Sequence, residues 1–189
     1  ERSVSRGPSN IWVFTWNSES IKLIEGIKSV YYSSSVSDIK PEISSVFIYT
    51  QDDNLIFVST DSFRLAEKRV KVKGLEEILG ILIPYKNIGE ILKVFGEFKG
   101  VLRVCFNKNQ ISFSSDSTYL TSRIIDGIFP DYKQIIPKDS LTDAVVLKQD
   151  LLNALKLSNI FSDKFNQVNL LIKPKEKVFE LSSANNDIG

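Results

Sequence analysis

The sequence predicts an α+β fold assembled from a recurring unit, a helix followed by a small antiparallel sheet. Three observations carry this. Apolar stripes at helical spacing begin near residues 18, 85 and 148, each stripe is followed by short β-rich runs, and the composition is that of an ordinary globular chain, 42% hydrophobic and 25% charged over 189 residues. The recurrence is an internal repeat of roughly 65 residues, a period unlike those of helical solenoids or propeller blades.

In the first unit Leu23, Ile24, Ile27, Val30 and Tyr31 share one helical stripe over 18–32, and Glu19, Lys22, Glu25 and Lys28 fall off it. A serine-rich loop ending at Pro41 leads to β-rich runs at 45–50 and 54–60, parted by Gln51, Asp52 and Asp53, which is a hairpin signal. Over 67–73, Val70 and Val72 alternate with Arg69, Lys71 and Lys73, the pattern of a strand with one wet face whose charge protects an edge. In the second unit Pro84 opens a helix with Ile88, Ile91, Leu92 and Phe95 on one face, stopped at Gly96. Strands follow at 101–106, 110–115 and 119–125, and Cys105, on the same side as Arg103, reads as a half-buried strand residue, not a reactive thiol. The third unit opens near Lys148 with Leu151, Leu152 and Leu155 on one face, then strands at 167–172 and 178–182. Two units make one domain, the third is half of the next, and the polar stretch 137–143 opened by Pro137 reads as a linker.

Composition excludes much chemistry. Histidine is absent and Cys105 is the only cysteine, which removes Ser-His-Asp and Cys-His nucleophile pairs and every His- or Cys-built metal site. The carboxylates form no compact metal or glycosidase motif. The sequence therefore predicts no enzyme, no cofactor and no metal. One cysteine allows no intramolecular disulfide framework, which points to a reducing cytoplasm. No apolar run approaches the roughly 18 to 20 residues that cross a bilayer, the polar start over 1–10 is no signal peptide, and the lack of any Met predicts a piece of a longer product. With 24 Lys plus Arg against 23 Asp plus Glu, the net charge of +1 is too mild for gripping nucleic acid by charge alone.

Each unit buries one helix face on its sheet and leaves a polar face outward. Over the three helices that face carries Lys22, Lys28, Lys86, Lys93, Lys148 and Lys156 against Glu19, Glu25, Glu90 and Asp150, with no Arg. Lysines offer a phosphate backbone mobile point charges without the bidentate lock of arginine. From charge alone, such a face reads as an ordinary solvated helix surface.

At 60–66 the chain reads TDSFRLA directly after a predicted strand, and at 122–137 it reads SRIIDGIFPDYKQIIP. In order and spacing these segments resemble the T-D-G-H-R-L-A and S-R-L-I-D-G-x-F-P-D-Y-x-x-x-x-P segments of the bacterial DNA polymerase III beta subunit, the sliding clamp. Ile83-Pro84-Tyr85-Lys86 and Ser183-Ala184-Asn185-Asn186 are lesser matches. The two main segments together are highly specific, whereas either alone is weak. The resemblance extends from Phe14 over nearly the whole chain and implies a DNA-clamp fold. It implies a linker at 1–10, the family's middle domain at 11–137 and the first half of its C-terminal domain at 138–189, truncated, with the first domain missing. It also implies a processivity factor: a head-to-tail homodimer ring whose helices surround duplex DNA without reading its sequence.

The resemblance further implies a partner-peptide pocket between the second and third domains, which takes short linear motifs from the replicative polymerase, the clamp loader and repair proteins. By position the pocket residues are Ile43, Thr60, Ser62, Phe63, Arg64, Leu65, Pro130, Gln134 and Ile135. Ile43, Leu65, Pro130 and Ile135 would wall an apolar cleft while Thr60 and Arg64 hold a peptide backbone; without the resemblance each apolar member reads as core packing. Ser62-Phe63 stands where the family has Gly-His. Gly takes a positive φ at little cost and Ser does not, so a different turn is expected, with Phe63 making the pocket narrower or greasier. Gln134 stands where an Arg is common, which removes a cationic fixing. The loop 33–42 corresponds to a family loop that touches DNA, with Lys40 as the expected participant. Ile160 and Phe161 match an apolar pair at the ring interface, and they read equally well as the core-facing end of a helix. Lacking the first domain, the chain is not expected to close a ring.

The expected function is thus a clamp that tethers a polymerase by enclosure, with Lys22, Lys28, Lys40, Lys86, Lys93, Lys148 and Lys156 facing DNA. The rival is an open nucleic-acid-binding module without ring closure, which would show an aromatic basic groove and salt-steep binding to linear DNA; the balanced charge argues against it.

Overall fold

The computed structural model of the chain describes residues 4–6, 12–16, 20–37, 39–72, 80–162 and 167–183, with the backbone alone at 4–6, 12–16, 20 and 21. Two compact units divide the chain, residues 1–131 and 132–189. The first contains, in chain order, β1 (Val4–Arg6), β2 (Trp12–Trp16), α1 (Ser20–Val30), β3 (Ser45–Gln51), β4 (Asn54–Thr60), β5 (Leu65–Lys71), β6 (Ile81–Pro84), α2 (Tyr85–Phe95), β7 (Leu102–Phe106), β8 (Gln110–Ser114) and β9 (Tyr119–Arg123). The strands form two antiparallel sheets, ordered β5-β4-β3-β6 and β1-β2-β7-β8-β9. Past the end of β9, the Ile125 amide donates to the Leu82 carbonyl at 2.9 Å, so one bridge links the sheets.

The helix stripes do what their spacing demands. Leu23, Ile24, Ile27 and Val30 of α1 and Ile88, Ile91 and Phe95 of α2 are buried. They meet Val46, Ile48, Leu55 and Phe57 of one sheet and Leu102, Val104, Ile111 and Phe113 of the other in a single cluster. Each such side chain contributes about 1.5–3 kcal/mol by leaving water. Gly26 lets α1 lie flush on the sheet, because a Cβ there would collide with the Phe57 ring. Strand hydroxyls tie down both ends of the serine-rich loop: Ser45 of β3 donates to the Pro41 carbonyl at 2.7 Å and Ser59 of β4 donates to the Val30 carbonyl at the end of α1. These buried polar groups are thereby satisfied.

Three readings change. β1 lies inside the stretch 1–10 read as a linker, and β2 precedes the first helix; the two pair with each other, and β2 pairs with β7. β5 begins at Leu65, not Glu67, because it continues the hairpin from β4 with Thr60 opposite Leu65; Lys73 lies outside the described residues. Ile83 and Pro84, read only as part of a helix entry, end the strand Ile81–Pro84, which pairs with β3.

The second unit holds α3 (Lys148–Ile160) and the hairpin of β10 (Asn169–Lys173) and β11 (Val178–Ser182). Leu170 pairs with Leu181 and Ile172 with Phe179, which puts four apolar residues on one face of the hairpin. The expected apolar face of α3, Leu151, Leu152 and Leu155, is shifted: its covered row is Leu151, Ala154 and Ser158, while Leu152 and Leu155 stay about 40% exposed. Ser158 permits the close approach, and its carbonyl accepts from the Ser183 hydroxyl at 2.8 Å.

Candidate functional site

The segment 60–66 is a self-contained turn between β4 and β5. The Thr60 hydroxyl donates to the Arg64 carbonyl at 2.7 Å and accepts from the Ser62 amide at 3.1 Å. The Asp61 carboxylate accepts from the amides of Phe63 (3.0 Å) and Arg64 (2.7 Å) and from the Arg64 Nε (2.9 Å), while Arg64 Nη2 stands 2.8 Å away. Burial alone would raise the Asp61 pKa, but these donors outweigh it and hold the carboxyl below its ordinary value of 3.8. Ser62 does take the left-handed conformation, with φ at 75°, which the network around it enforces. Phe63 projects from this fixed turn and is 96% exposed.

Part of the second segment, around Phe129, lies on the outer face of the same sheet. Phe129 is buried and stacks on Phe47 of β3 at 4.9 Å with an interplanar angle of 8°. Gly127 passes the Glu42 side chain closely enough that a Cβ would stand 3.0 Å from it. Ser122 is held by Asn87 of α2, whose amide donates to its hydroxyl at 2.8 Å. Thr60 and Leu65, by strand alternation from Val58 and Glu67, share that outer face at one end of the sheet. Ile43, half-buried, enters β3 at the same end, with its carbonyl accepting from the Ser35 amide at 3.1 Å. The first unit thus places Thr60, Ser62, Phe63, Arg64 and Leu65 on one turn at a sheet end, with Ile43 entering β3 at that end, and leaves Pro130 exposed beside the buried Phe129. Gln134 and Ile135 belong to the second unit, in a 3-10 turn (Tyr132–Ile135), and both are exposed.

The helix lysines Lys22, Lys28, Lys86, Lys93, Lys148 and Lys156 are all exposed, as is Lys40 in the loop after α1. Their charge is partly answered: Lys28 stands 3.6 Å from Glu97 and Lys93 2.7 Å from Glu90. Exposed pairs of this kind are worth little in stability, but they lower the local positive field. Ile160 and Phe161, at 72% and 60% exposure, do not face a core, so that reading is withdrawn. Cys105 is half-buried, and burial raises its pKa above the ordinary 9.0 despite Arg103 and Ser112, which suits a packed strand residue. No group of three or more His, Cys, Asp or Glu is placed to hold a metal, and no helix is long and apolar enough to cross a membrane, among the described residues.

Residues 18–131 match the family model of the DNA polymerase III beta subunit, central domain. The chain is 28% identical over 166 residues to the Beta sliding clamp of Bacillus subtilis (strain 168), covering 86% of this chain and 44% of that protein. It is 27% identical over 168 residues to that of Rickettsia bellii (strain RML369-C), covering 87% and 41%. The chain therefore spans less than half the length of these relatives. Among solved structures, the DNA polymerase sliding clamp of Bacillus subtilis superposes with a TM-score of 0.82 at 25% identity, over 94% of this chain and 47% of that one. The DNA polymerase III subunit beta of Pseudomonas aeruginosa shares the fold, with a TM-score of 0.79 at 21% identity over 98% and 50%.

Proposed function

From the premise that this chain belongs to the DNA polymerase III beta subunit family, we propose that it serves within a sliding clamp, a processivity factor that does no bond chemistry. Residues 11–137 are the clamp's middle domain, with the short strand of 1–10 before it, and 138–189 are the first half of the C-terminal domain. The full-length protein acts in the cytoplasm as a homodimer ring around duplex DNA, with Ile160 and Phe161 at the subunit contact. Enclosure replaces affinity: a tethered polymerase meets its template at high effective concentration without a tight protein–DNA bond.

The observation that carries this reading is the family match over 18–131, which spans the turn at 60–66 and the segment reaching Pro130. Two features support the division of labour. Exposed lysines lie on the helices, two of them, Lys28 and Lys93, beside carboxylates, which favours contact loose enough for sliding. One end of the four-stranded sheet carries Ile43 and Leu65 beside a rigid polar turn, a docking surface for peptides from the replicative polymerase, clamp loader and repair proteins; Pro130, Gln134 and Ile135 are assigned with them by the motif they sit in.

A labelled peptide with a Gln-Leu-x-Leu-Phe-type motif, titrated into the full-length protein, tests the pocket. Binding that weakens at least tenfold in Arg64→Ala and Leu65→Ala is expected, about 1.4 kcal/mol or more; unchanged binding in both would remove the assignment. For enclosure, the full-length protein should persist on closed DNA circles and run off linear duplex. Equal retention on both would favour an open binding module.

A further inference from the structure

Strand β5 contains an anomaly. Ala66 and Val70 turn into the core, and strand alternation sets Lys68 between them on that same face. The register agrees, since Lys68 pairs with Phe57 as Val70 pairs with Leu55, and both partners lie in the core. Phe57 is the ring on which Gly26 of α1 rests. Glu67, Arg69 and Lys71 take the opposite face. A lysine in an inward position is uncommon. It is tolerated because β5 is the edge strand of its sheet, so the long side chain leaves the core sideways and its ammonium reaches water.

Lys68 emerges beside α1, in a cleft lined by Glu25, Lys28 and Ser29. A second cleft shares Glu25 and Lys28 and continues to Glu97, Phe98 and Lys99 beyond the end of α2. Lys28 thus stands between Lys68 on one side and Lys99 on the other. The carboxylates nearby are Glu25 and Glu97, the latter 93% exposed in its side chain and 3.6 Å from Lys28. Three ammonium groups against two carboxylates leave a mild positive surface that spans more than the helices.

We propose that Lys68 is a phosphate-contacting residue of the DNA-facing surface, which extends from the helices onto the edge of the four-stranded sheet. This rests on the reading of the helix layer as DNA-facing. A lysine at this place adds a sequence-independent point contact without a bidentate lock. The wet-strand pattern of 67–73 conceals it, because that pattern assigns all the charge of β5 to the outer face.

The test is fluorescence anisotropy of a labelled duplex with the intact chain at low ionic strength, followed by a salt titration. Lys68→Gln should weaken binding several-fold and reduce the salt slope by about 1, and Lys68→Arg should restore both. Lys71→Gln removes the same charge from the same strand on its other face and should behave as the parent, with thermal unfolding unchanged in all three. If Lys68→Gln matches Lys71→Gln while Lys28→Gln still weakens binding, the role of Lys68 is overturned and the DNA reading stands. Should the parent show no binding at low ionic strength, the direct phosphate contact proposed for Lys68 falls while the enclosure reading stands; if Lys28→Gln has no effect either, the DNA-facing reading of the helices falls with it.

Discussion

Helices α2 and α3 start from the same device, apolar residues at helical spacing before a hairpin, and end in different surroundings. In α2, Ile88 and Ile91 are fully buried; in α3, Leu152 and Leu155 remain about 40% exposed. Past Tyr132, no apolar side chain is buried among the described residues. An amphipathic helix supplies only one surface of a core. In the first unit two helix-and-hairpin segments meet with a further pair of strands and close a core from several sides, whereas one helix on a two-stranded hairpin has a single layer to offer. A repeated pattern therefore yields a repeated element without yielding repeated stability.

The largest test of this contrast is a pair of truncations. Ile88→Ala should cost about 2–5 kcal/mol in chemical denaturation, and Leu155→Ala under about 1 kcal/mol. Equal costs would mean that α3 is packed as well as α2. A smaller effect sharpens the comparison at the turns, where each unit has a non-glycine residue with positive φ: Ser62 at 75° and Lys177 at 55°. Ser62→Gly should raise the free energy of global unfolding by up to about 1 kcal/mol. Lys177→Gly should register only in the hydrogen exchange of β10 and β11, since that hairpin lies outside the buried core; a shift in the global transition would contradict it.

The smallest effect is electrostatic. Asp61 is held below 3.8, so its contribution is complete above that value and is lost as the pH falls through the lower folded-state pKa. Asp61→Asn should cost about 1 kcal/mol or less near neutrality, with the gap to the parent closing under acid titration below 3.8. The exposed Lys173–Glu176 pair at 3.2 Å is the counterpart in the second unit, and Glu176→Gln should leave stability within about 0.5 kcal/mol at every pH.

Much of the fold was legible in the chain because its signals are local. The stripes of α1 and α2, the stop at Gly96 and the strands 54–60 and 178–182 all follow from residue spacing and turn chemistry. The two segments that carry the family resemblance were legible as motifs, and the first of them folds as one turn in which Thr60 and Arg64 bond to each other and Thr60 pairs with Leu65. What escaped was non-local. Nothing in residues 12–16 announces that they pair with 102–106, and nothing in Ile81–Pro84 distinguishes a helix entry from a strand along β3. Lys68 escaped for a related reason: the sequence shows alternation but not which face belongs to α1.

The sequence alone determined where most of the helices and strands form, that the chain holds no histidine and one cysteine, and the family to which it belongs, because these depend on neighbouring residues and residue types. Only the tertiary structure decided which apolar faces are covered, that Ser62 is held at a positive φ, and that Lys68 leaves the core beside Lys28. Each of those depends on what another segment, distant along the chain, brings against it.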